Sequence, residues 1–368
     1  MTGATPARDR VVMITTELFA RGGVQRVGRE AIAALTRLGP MSVWSLRDVS
    51  LPEDEDVSRR VSYRLAAGSR ARLAAWGVAA AATRCEPRTS VLIMHVHVAP
   101  IAIPLQVRGA HLNVFLHGVE SWRPLTPAER YVVARSDRII ANSHCTADRF
   151  IEYNPWFKHA AVDVCPLGLP PAPQDDTDRS AENLALMVAR MSSEDRYKGH
   201  ERLVRTWPFV RSHVPAAELV LVGDGDDRPR LERIAREAGV EDAVRFVGNV
   251  DDHELDAWYR RCTFFVLPSD CEGFGLVFLE AMRAGKACIS APGAGAEVVV
   301  DEVTGLVVAA DDQGALAAAM TRLFLNRELR ARFGRNGQAR FRQTFTSRHF
   351  ADRLRQLVAA PVAPEHAA

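Results

Sequence analysis

At 368 residues, with 47% hydrophobic and 25% charged side chains, the chain has the make-up of a folded, water-soluble protein long enough for two domains. No apolar run approaches the roughly 20 residues that cross a bilayer, and the short apolar stretch near the N-terminus is interrupted by Glu17, which argues against a signal peptide. The net charge of +2 hides an asymmetry: residues 1–170 carry 21 Lys and Arg against 15 Asp and Glu, so that half is at +6 and the remainder at −4. A basic first half is either charge scatter on a solvated surface or a half that meets something anionic. Six cysteines stand singly with no C-x-x-C pair, the pattern of free thiols in a reducing cytoplasm, not of a disulfide framework or a zinc site.

Taken in chain order, short apolar strands alternate with helical periodicity. "VVMITT" (11–16) predicts a strand, 22–39 a helix closed by Gly39, and "MSVWSL" (41–46) a second strand. Residues 64–84 predict a helix, "VLIMHVHV" (91–98) a buried strand and "LNVFLHG" (112–118) another. A helix follows near 127–135, then "RIIANS" (138–143) as strand, a helix opened by "SHCTADRF", and "AVDVCPLGL" (161–169). "PPAPQDDTDRSAEN", rich in Pro, Asp and Ser, predicts a linker over 171–183. The alternation then restarts: strands at 184–190, 218–225, 244–250, 263–269, 286–290 and 304–308, helices at 200–214, 228–239 and 252–261, and helix-rich sequence to about 358. Strands separated by helices of this length make parallel, doubly wound sheets. The expectation is α/β: two Rossmann-like doubly wound parallel-sheet domains facing a central cleft. The first covers 1–170 and the second 184–345; residues 346–368 form a C-terminal helix and tail able to return to the first domain.

Ligands of such sheets bind where strands end in loops that lead into helices. "SDCEGFGLVFLEAM" is such a crossing, with Glu272 on the loop and Glu280 about a turn into a helix that starts near Leu276. Backbone N–H groups at Phe274, Gly275 and Leu276 offer a helix N-terminus to phosphate, while the two carboxylates offer acceptors to hydroxyls. That combination describes a sugar nucleotide; a loop acid plus a half-exposed helix Glu is the plain alternative. Strand one lacks G-x-G-x-x-G after it, which excludes the usual nicotinamide site.

The spacing Glu272-x7-Glu280 followed by "AGKACIS", with "VAR", "KGH", "LVGDG", "FVGNV", "LPSDCEGFG" and "TGLVV" in order, resembles retaining GT-B glycosyltransferases of family 4, the group 1 glycosyl transferases. The resemblance covers the whole second half and implies a transferase that moves a hexose from a GDP- or UDP-linked sugar, without a bound metal or other cofactor. It implies that Glu272 contacts hydroxyls of the donor sugar and Glu280 the ribose. It also implies that Arg190 and Lys198, in "VARMSSEDRYKGH", bind the diphosphate, and that Val250, in "FVGNV", lies near the base. Cations there have a physical reason, since negative charge grows on the leaving diphosphate as the glycosidic bond breaks. Arg196 competes for part of that task or is an exposed loop charge. Glu297 matches a supporting family glutamate, and "GDGDD" (223–227) reads as a strand-to-helix turn with an Asp cap.

In the first half the resemblance places Gly22 and Gly23 beside the donor phosphate. It places His117, in "FLHGVESW", at the reacting centre with Glu120 nearby, and His97 on the acceptor side; on residues alone each of these has a structural reading. His95, of opposite strand parity to His97, reads as structural. Arginines 59, 60, 64, 70, 72, 84 and 88, among Leu, Trp and Ala, fit either an amphipathic helix packed on the sheet or a face toward an anionic membrane. The expected partners are a nucleotide sugar and a saccharide or polyprenyl- or lipid-linked acceptor, with no nucleic acid, in the cytoplasm or at the inner membrane face. Transfer by departure and attack on one face of the sugar, under domains that close over the donor, is the implied mechanism. A non-catalytic nucleotide-sugar-binding or scaffold subunit of a polysaccharide assembly complex is the other reading.

Overall fold

The computed structural model describes residues 11–20, 22–52, 60–83, 89–171 and 183–359. All but the end residues of the segment read as a linker, along with Arg59, Arg84, Arg88 and the last nine residues, lie outside these. In chain order the elements are β1 (Val11–Thr15), α1 (Gly23–Leu35), β2 (Met41–Ser45), β3 (Val61–Leu65), α2 (Arg70–Thr83), β4 (Ser90–Ile93), α3 (Ile103–Val107) and β5 (His111–Leu116). Then come α4 (Pro127–Val133), β6 (Arg138–Ala141), α5 (His144–Tyr153), β7 (Val162–Val164), β8 (Leu184–Val188), α6 (His200–His213), β9 (Glu218–Val222) and α7 (Arg228–Glu237). They continue with β10 (Val244–Gly248), α8 (Asp252–Arg261), β11 (Phe264–Leu267), α9 (Leu276–Arg283), β12 (Ala287–Ser290), α10 (Ala294–Val298) and β13 (Gly305–Val307). Three helices close the chain: α11 (Gln313–Leu325), α12 (Arg327–Thr344) and α13 (Ser347–Ala359).

The chain divides into two units: Met1–Leu167 with Ser347–Ala368, and Gly168–Thr346. The first holds a seven-stranded sheet ordered β3-β2-β1-β4-β5-β6-β7, the second a six-stranded sheet ordered β10-β9-β8-β11-β12-β13, and every pairing is parallel. Strands such as β1, β4, β11 and β12 are buried along their whole length, as a parallel sheet covered on both faces requires. In the first unit Val12, Ile14, Val91 and Val114 join Leu73, Val132 and Phe150 in one core, which places α2, α4 and α5 on one face. On the other face α1 packs on α13, and Phe350 of α13 meets Phe115 edge-on at 6.5 Å between centroids.

Two segments depart from the expectations. Residues 61–65 form β3, and the helix expected from residue 64 starts only at Arg70, after Ala67 and Gly68 both adopt positive φ. Arg64 therefore sits on a strand, its guanidinium stacked 5.9 Å from the rings of both Trp44 and Trp76. The strand expected over 91–98 ends at Ile93, and Val96–Ala102 winds into a 3-10 helix capped by His95. An apolar run rich in valine looks like strand until its position beyond the sheet edge is known. Among the described residues no helix is long and apolar enough to cross a membrane.

Candidate active site

The strand order identifies where a ligand belongs in each sheet. In the second unit the chain runs from β8 outward to β10, then returns to start β11 beside β8, so the order reverses between β8 and β11. The loops leaving the carboxyl ends of those two strands carry Arg190 with Lys198 and Glu272 respectively, at the topological switch point where doubly wound sheets bind ligands.

After β8 the chain continues a ladder with the next loop: Ala189 donates to Val222, Met191 to Asp224 and Asp227 to Met191. This approach explains the glycines of "GDG". A Cβ on Gly223 would stand 2.1 Å from the Ala189 carbonyl oxygen, and one on Gly225 would stand 2.2 Å from that of Met191. The loop is thus strapped to the chain that leaves β8. Asp227 flanks α7 without capping it through its side chain; its carboxylate instead accepts from Arg230 at 2.7 Å and from Arg196 at 3.0 Å. Arg196 is therefore spoken for.

Ser193–Lys198, a loop by expectation, form a 3-10 helix that buries Asp195. One Asp195 oxygen accepts from Arg190 Nε at 2.6 Å, the other from the Tyr197 hydroxyl at 3.0 Å. Arg190 remains largely exposed beyond this anchor, with 72% of its side chain accessible. Burial first, and then the Asp195 charge, push the Tyr197 phenol up, so it stays a donor. Lys198 pairs with Glu272, and both are mostly buried. Gly199, at φ 88°, passes so close to Pro268 that a Cβ would lie 2.6 Å from its carbonyl oxygen, and Asp270 N–H donates to the Tyr197 carbonyl at 3.0 Å. The two loops are stitched into one surface.

Gly275, at φ 91°, turns the chain into α9, and a Cβ there would lie 2.6 Å from the Phe278 ring. Gly275 at its N-cap offers no side chain to cap that helix, which starts in the loop leaving β11 at the switch point. The Phe274 ring is buried edge-on to Phe345. Glu280, one turn in, is buried, and its Oε2 accepts from the hydroxyl of fully buried Tyr259 at 2.8 Å. Burial and then the Glu280 carboxylate hold that phenol far above its ordinary range, which keeps the donor protonated. Val250 follows β10, and Glu297 lies on α10, where Arg340 donates to its carbonyl oxygen.

In the first unit the order reverses between β1 and β4. The β1 loop ends in Gly22 and Gly23 at the start of α1, and a Cβ on Gly22 would collide with the Gln25 side chain at 2.3 Å. Buried Asp48 fixes that loop by accepting from the Leu18 amide at 2.8 Å, the Phe19 amide at 3.3 Å and the Ser45 hydroxyl at 2.6 Å. The β4 loop carries His95 and His97, with ring centroids 4.7 Å apart; His95 Nδ1 accepts from the His97 amide at 3.3 Å. His117, at the end of neighbouring β5, is buried and donates from Nε2 to the Met94 carbonyl at 2.9 Å, leaving the lone pair on Nδ1. Glu120 accepts from the His117 amide at 2.6 Å. Burial lowers the His117 pKa to about 4 against the pull of the Met94 carbonyl, and lowers His95 to about 4 against the pull of Glu120. His97 is exposed, and its pKa is lowered first by partial burial, then by Arg123.

Three partners escaped sequence reading: Asp195, Tyr259 and Asp48. The DRYK run hinted at the first, while the other two carry no local signal.

Residues 173–340 match the family described as Glycosyl transferases group 1. Over 94% of its length the chain is 28% identical to a GDP-mannose-dependent alpha-(1-6)-phosphatidylinositol monomannoside mannosyltransferase of Mycobacterium tuberculosis, covering 98% of that protein. It is 31% identical over 60% of its length to the lipopolysaccharide core biosynthesis mannosyltransferase LpcC of Rhizobium leguminosarum bv. viciae, covering 63% of that protein. In fold it is similar to the sucrose-phosphate synthase of Thermosynechococcus elongatus, with a TM-score of 0.77 at 23% identity over 95% of this chain and 98% of the other. Residues 173–340 thus resemble the glycosyl transferases group 1 family, and the two parallel-sheet units have the GT-B fold.

Proposed function

We propose that this protein is a glycosyltransferase that moves mannose from GDP-mannose to a lipid-linked or saccharide acceptor, with retention of anomeric configuration and without a catalytic metal. The observation that carries the reading is the loop surface at the β8/β11 switch point, where Arg190, Lys198 and the uncapped N-terminus of α9 lie with Glu272 and Glu280. The relatives named above, both mannosyltransferases and one GDP-mannose-dependent, favour that donor over a UDP-sugar. They favour a glycolipid acceptor for the same reason.

In the proposed reaction the bond between C1 of the sugar and the diphosphate oxygen breaks. Lys198, Arg190 and the first-turn amides of α9 stabilise the charge that collects on the leaving group, the place where a preformed field contributes most. An acceptor hydroxyl oxygen bonds to C1 on the same face, and its proton passes to the departing diphosphate oxygen, giving GDP and the glycoside. A double-displacement route needs a carboxylate at hand to form a covalent intermediate. Here Glu272 is engaged with Lys198, Glu280 with Tyr259 and Asp195 with Arg190, which supports the single-face route. Glu272 orients sugar hydroxyls and Glu280 the ribose. His97, His117 and Glu120 serve the acceptor; His117 is uncharged at neutral pH, so its Nδ1 can accept a hydrogen bond that orients the acceptor hydroxyl while the proton goes to the diphosphate.

Thermal unfolding with GDP, UDP, ADP and GDP-mannose tests the donor; at a hundredfold excess over Kd a bound nucleotide stabilises by about 2.7 kcal/mol. GDP and GDP-mannose should shift the protein while UDP and ADP should not, and Lys198→Ala should shrink the shift. Proton NMR of the product should show the α-anomer, with an unchanged rate in EDTA. A β product refutes retention, and a protein indifferent to every nucleotide is a scaffold subunit.

A further inference from the structure

We propose that the groove between α1 and α13 of the first unit binds a sugar phosphate, with the phosphate at Arg37 and Arg355 and the sugar hydroxyls at Glu30 and Ser347. The groove is built from elements of the first unit alone and holds about 490 Å3, within the roughly 300–1,000 Å3 usual for small-molecule sites. Its lining includes Ala33, Ala34 and Ala351, whose short side chains leave the space open. Both helices run the same way along the sheet. α1 leaves the carboxyl end of β1, and α13 passes from Phe350, beside Phe115 near the end of β5, to Val358, whose carbonyl takes Ser90 Oγ at the start of β4. Glu30 and Ser347 therefore lie toward one end of the groove, Arg37 and Arg355 toward the other.

The two ends differ in chemistry. Asp352 accepts from Arg355 and lies 3.7 Å from Arg348, so one carboxylate answers two guanidinium groups. Arg37 has no hydrogen-bond or ion-pair partner among the described residues. Glu30 has none either, and a separation of two helical turns, about 10 Å along the axis, keeps it from neutralising Arg37. The Arg37 end therefore holds a surplus of guanidinium, whose planar fork fits phosphate oxygens bidentately. Arg355 is already in place there, its side chain 19% accessible and tied to Asp352, and a cation held in position loses little entropy on binding. At the opposite end Glu30 offers acceptor oxygens, and Ser347 Oγ is buried without a hydrogen-bond partner. A buried hydroxyl left unpaired is costly, and a ligand hydroxyl would satisfy it. Carboxylate and hydroxyl side by side suit the neighbouring hydroxyls of a sugar.

Isothermal titration of the full chain with inorganic phosphate and with glucose 6-phosphate tests this. Both should bind, the hexose phosphate more tightly. Arg37→Gln should weaken both about tenfold or more, the loss of one hydrogen bond to a charged group. Glu30→Gln should weaken the hexose phosphate and leave inorganic phosphate unchanged, and Arg233→Gln, an exposed arginine of α7 in the second unit, should change neither. Arg37 and Glu30 have no partners to lose, so these substitutions leave the fold intact. The donor loops also present cations, so the titrations are repeated in Lys198→Ala: binding that survives there and falls with Arg37→Gln belongs to the groove. No binding of either probe, or binding that Lys198→Ala abolishes and Arg37→Gln does not touch, overturns the proposal. Equal affinity for the two probes, or a hexose phosphate indifferent to Glu30→Gln, overturns the assignment of a sugar.

Discussion

Replacing Tyr259 by phenylalanine removes one oxygen atom and nothing else. That hydroxyl is fully buried and donates to Glu280 Oε2 at 2.8 Å, so the substitution leaves no new cavity but withdraws a charge-assisted hydrogen bond from a buried carboxylate. Bonds to charged groups contribute roughly 1.5–3 kcal/mol. In a domain of this size each kcal/mol moves Tm by about 2–4 °C, so a fall of about 4–8 °C is expected for a loss near 2 kcal/mol. If Glu280 holds the ribose, Tyr259→Phe also frees its carboxylate from the orientation that meets the sugar hydroxyls. GDP should then bind several-fold more weakly, and 2′- or 3′-deoxy-GDP should lose less than GDP does. Differential scanning fluorimetry with and without each nucleotide reads both effects. An unchanged melting temperature refutes the energetic reasoning. A lower one with the same discrimination between GDP and its deoxy analogues refutes the positioning role and keeps only the structural one.

Gly223→Ala puts a Cβ 2.1 Å from a backbone oxygen at φ 130°, whereas Gly239→Ala meets nothing within 4 Å at φ 65°; urea unfolding should show a loss of about 3 kcal/mol or more for the first and about 1 kcal/mol for the second. Asp195→Asn keeps the side-chain volume but removes the charge that orients Arg190 and accepts from Tyr197, so kcat should fall about tenfold and Tm by a few degrees, and an unchanged kcat shows that Arg190 needs no such anchor. Stability should also depend on acidity through His117, His95 and His200, whose pKa values burial lowers to about 4. Below about 6.5 the unfolded chain takes up protons that the folded one refuses, so stability is full above that pH, falls between about 6.5 and 4, and then levels. His117 alone contributes up to about 3 kcal/mol of that slope; His117→Asn should flatten it in urea unfolding followed across pH, and an identical slope would contradict its burial as a neutral ring.

Alternation of apolar runs with helical periodicity was enough to reveal two parallel sheets, because strands covered on both faces announce themselves as uninterrupted apolar segments. It missed β3 because Val61–Leu65 is an edge strand with polar alternation that runs straight into a helix-like Ala pair. It put His97 at a strand end instead of in a 3-10 turn because nothing local separates the two in a valine-rich run. At the site, residues in the reading order of the loop, Glu272, Gly275 and Glu280, were legible. Their partners were not: Tyr259 reaches Glu280 from a different helix, and Asp48 holds the β1 loop from 30 residues away. Such contacts are made by the fold and leave no spacing to read.

The first unit is interrupted in the chain by the second, and α13 completes it from the far end: Phe350 lies on Phe115, Ser90 Oγ donates to the Val358 carbonyl, and Arg353 donates to that of Val164. During synthesis, therefore, the half that emerges first cannot be finished first. Residues 168–346 have everything they need once Thr346 has cleared the ribosome, while the N-terminal sheet waits with the α1 side bare for a helix still to be made. A chain that stops at Thr346 would deliver an intact second unit attached to an N-terminal one with an exposed apolar face, the kind of product that quality control removes.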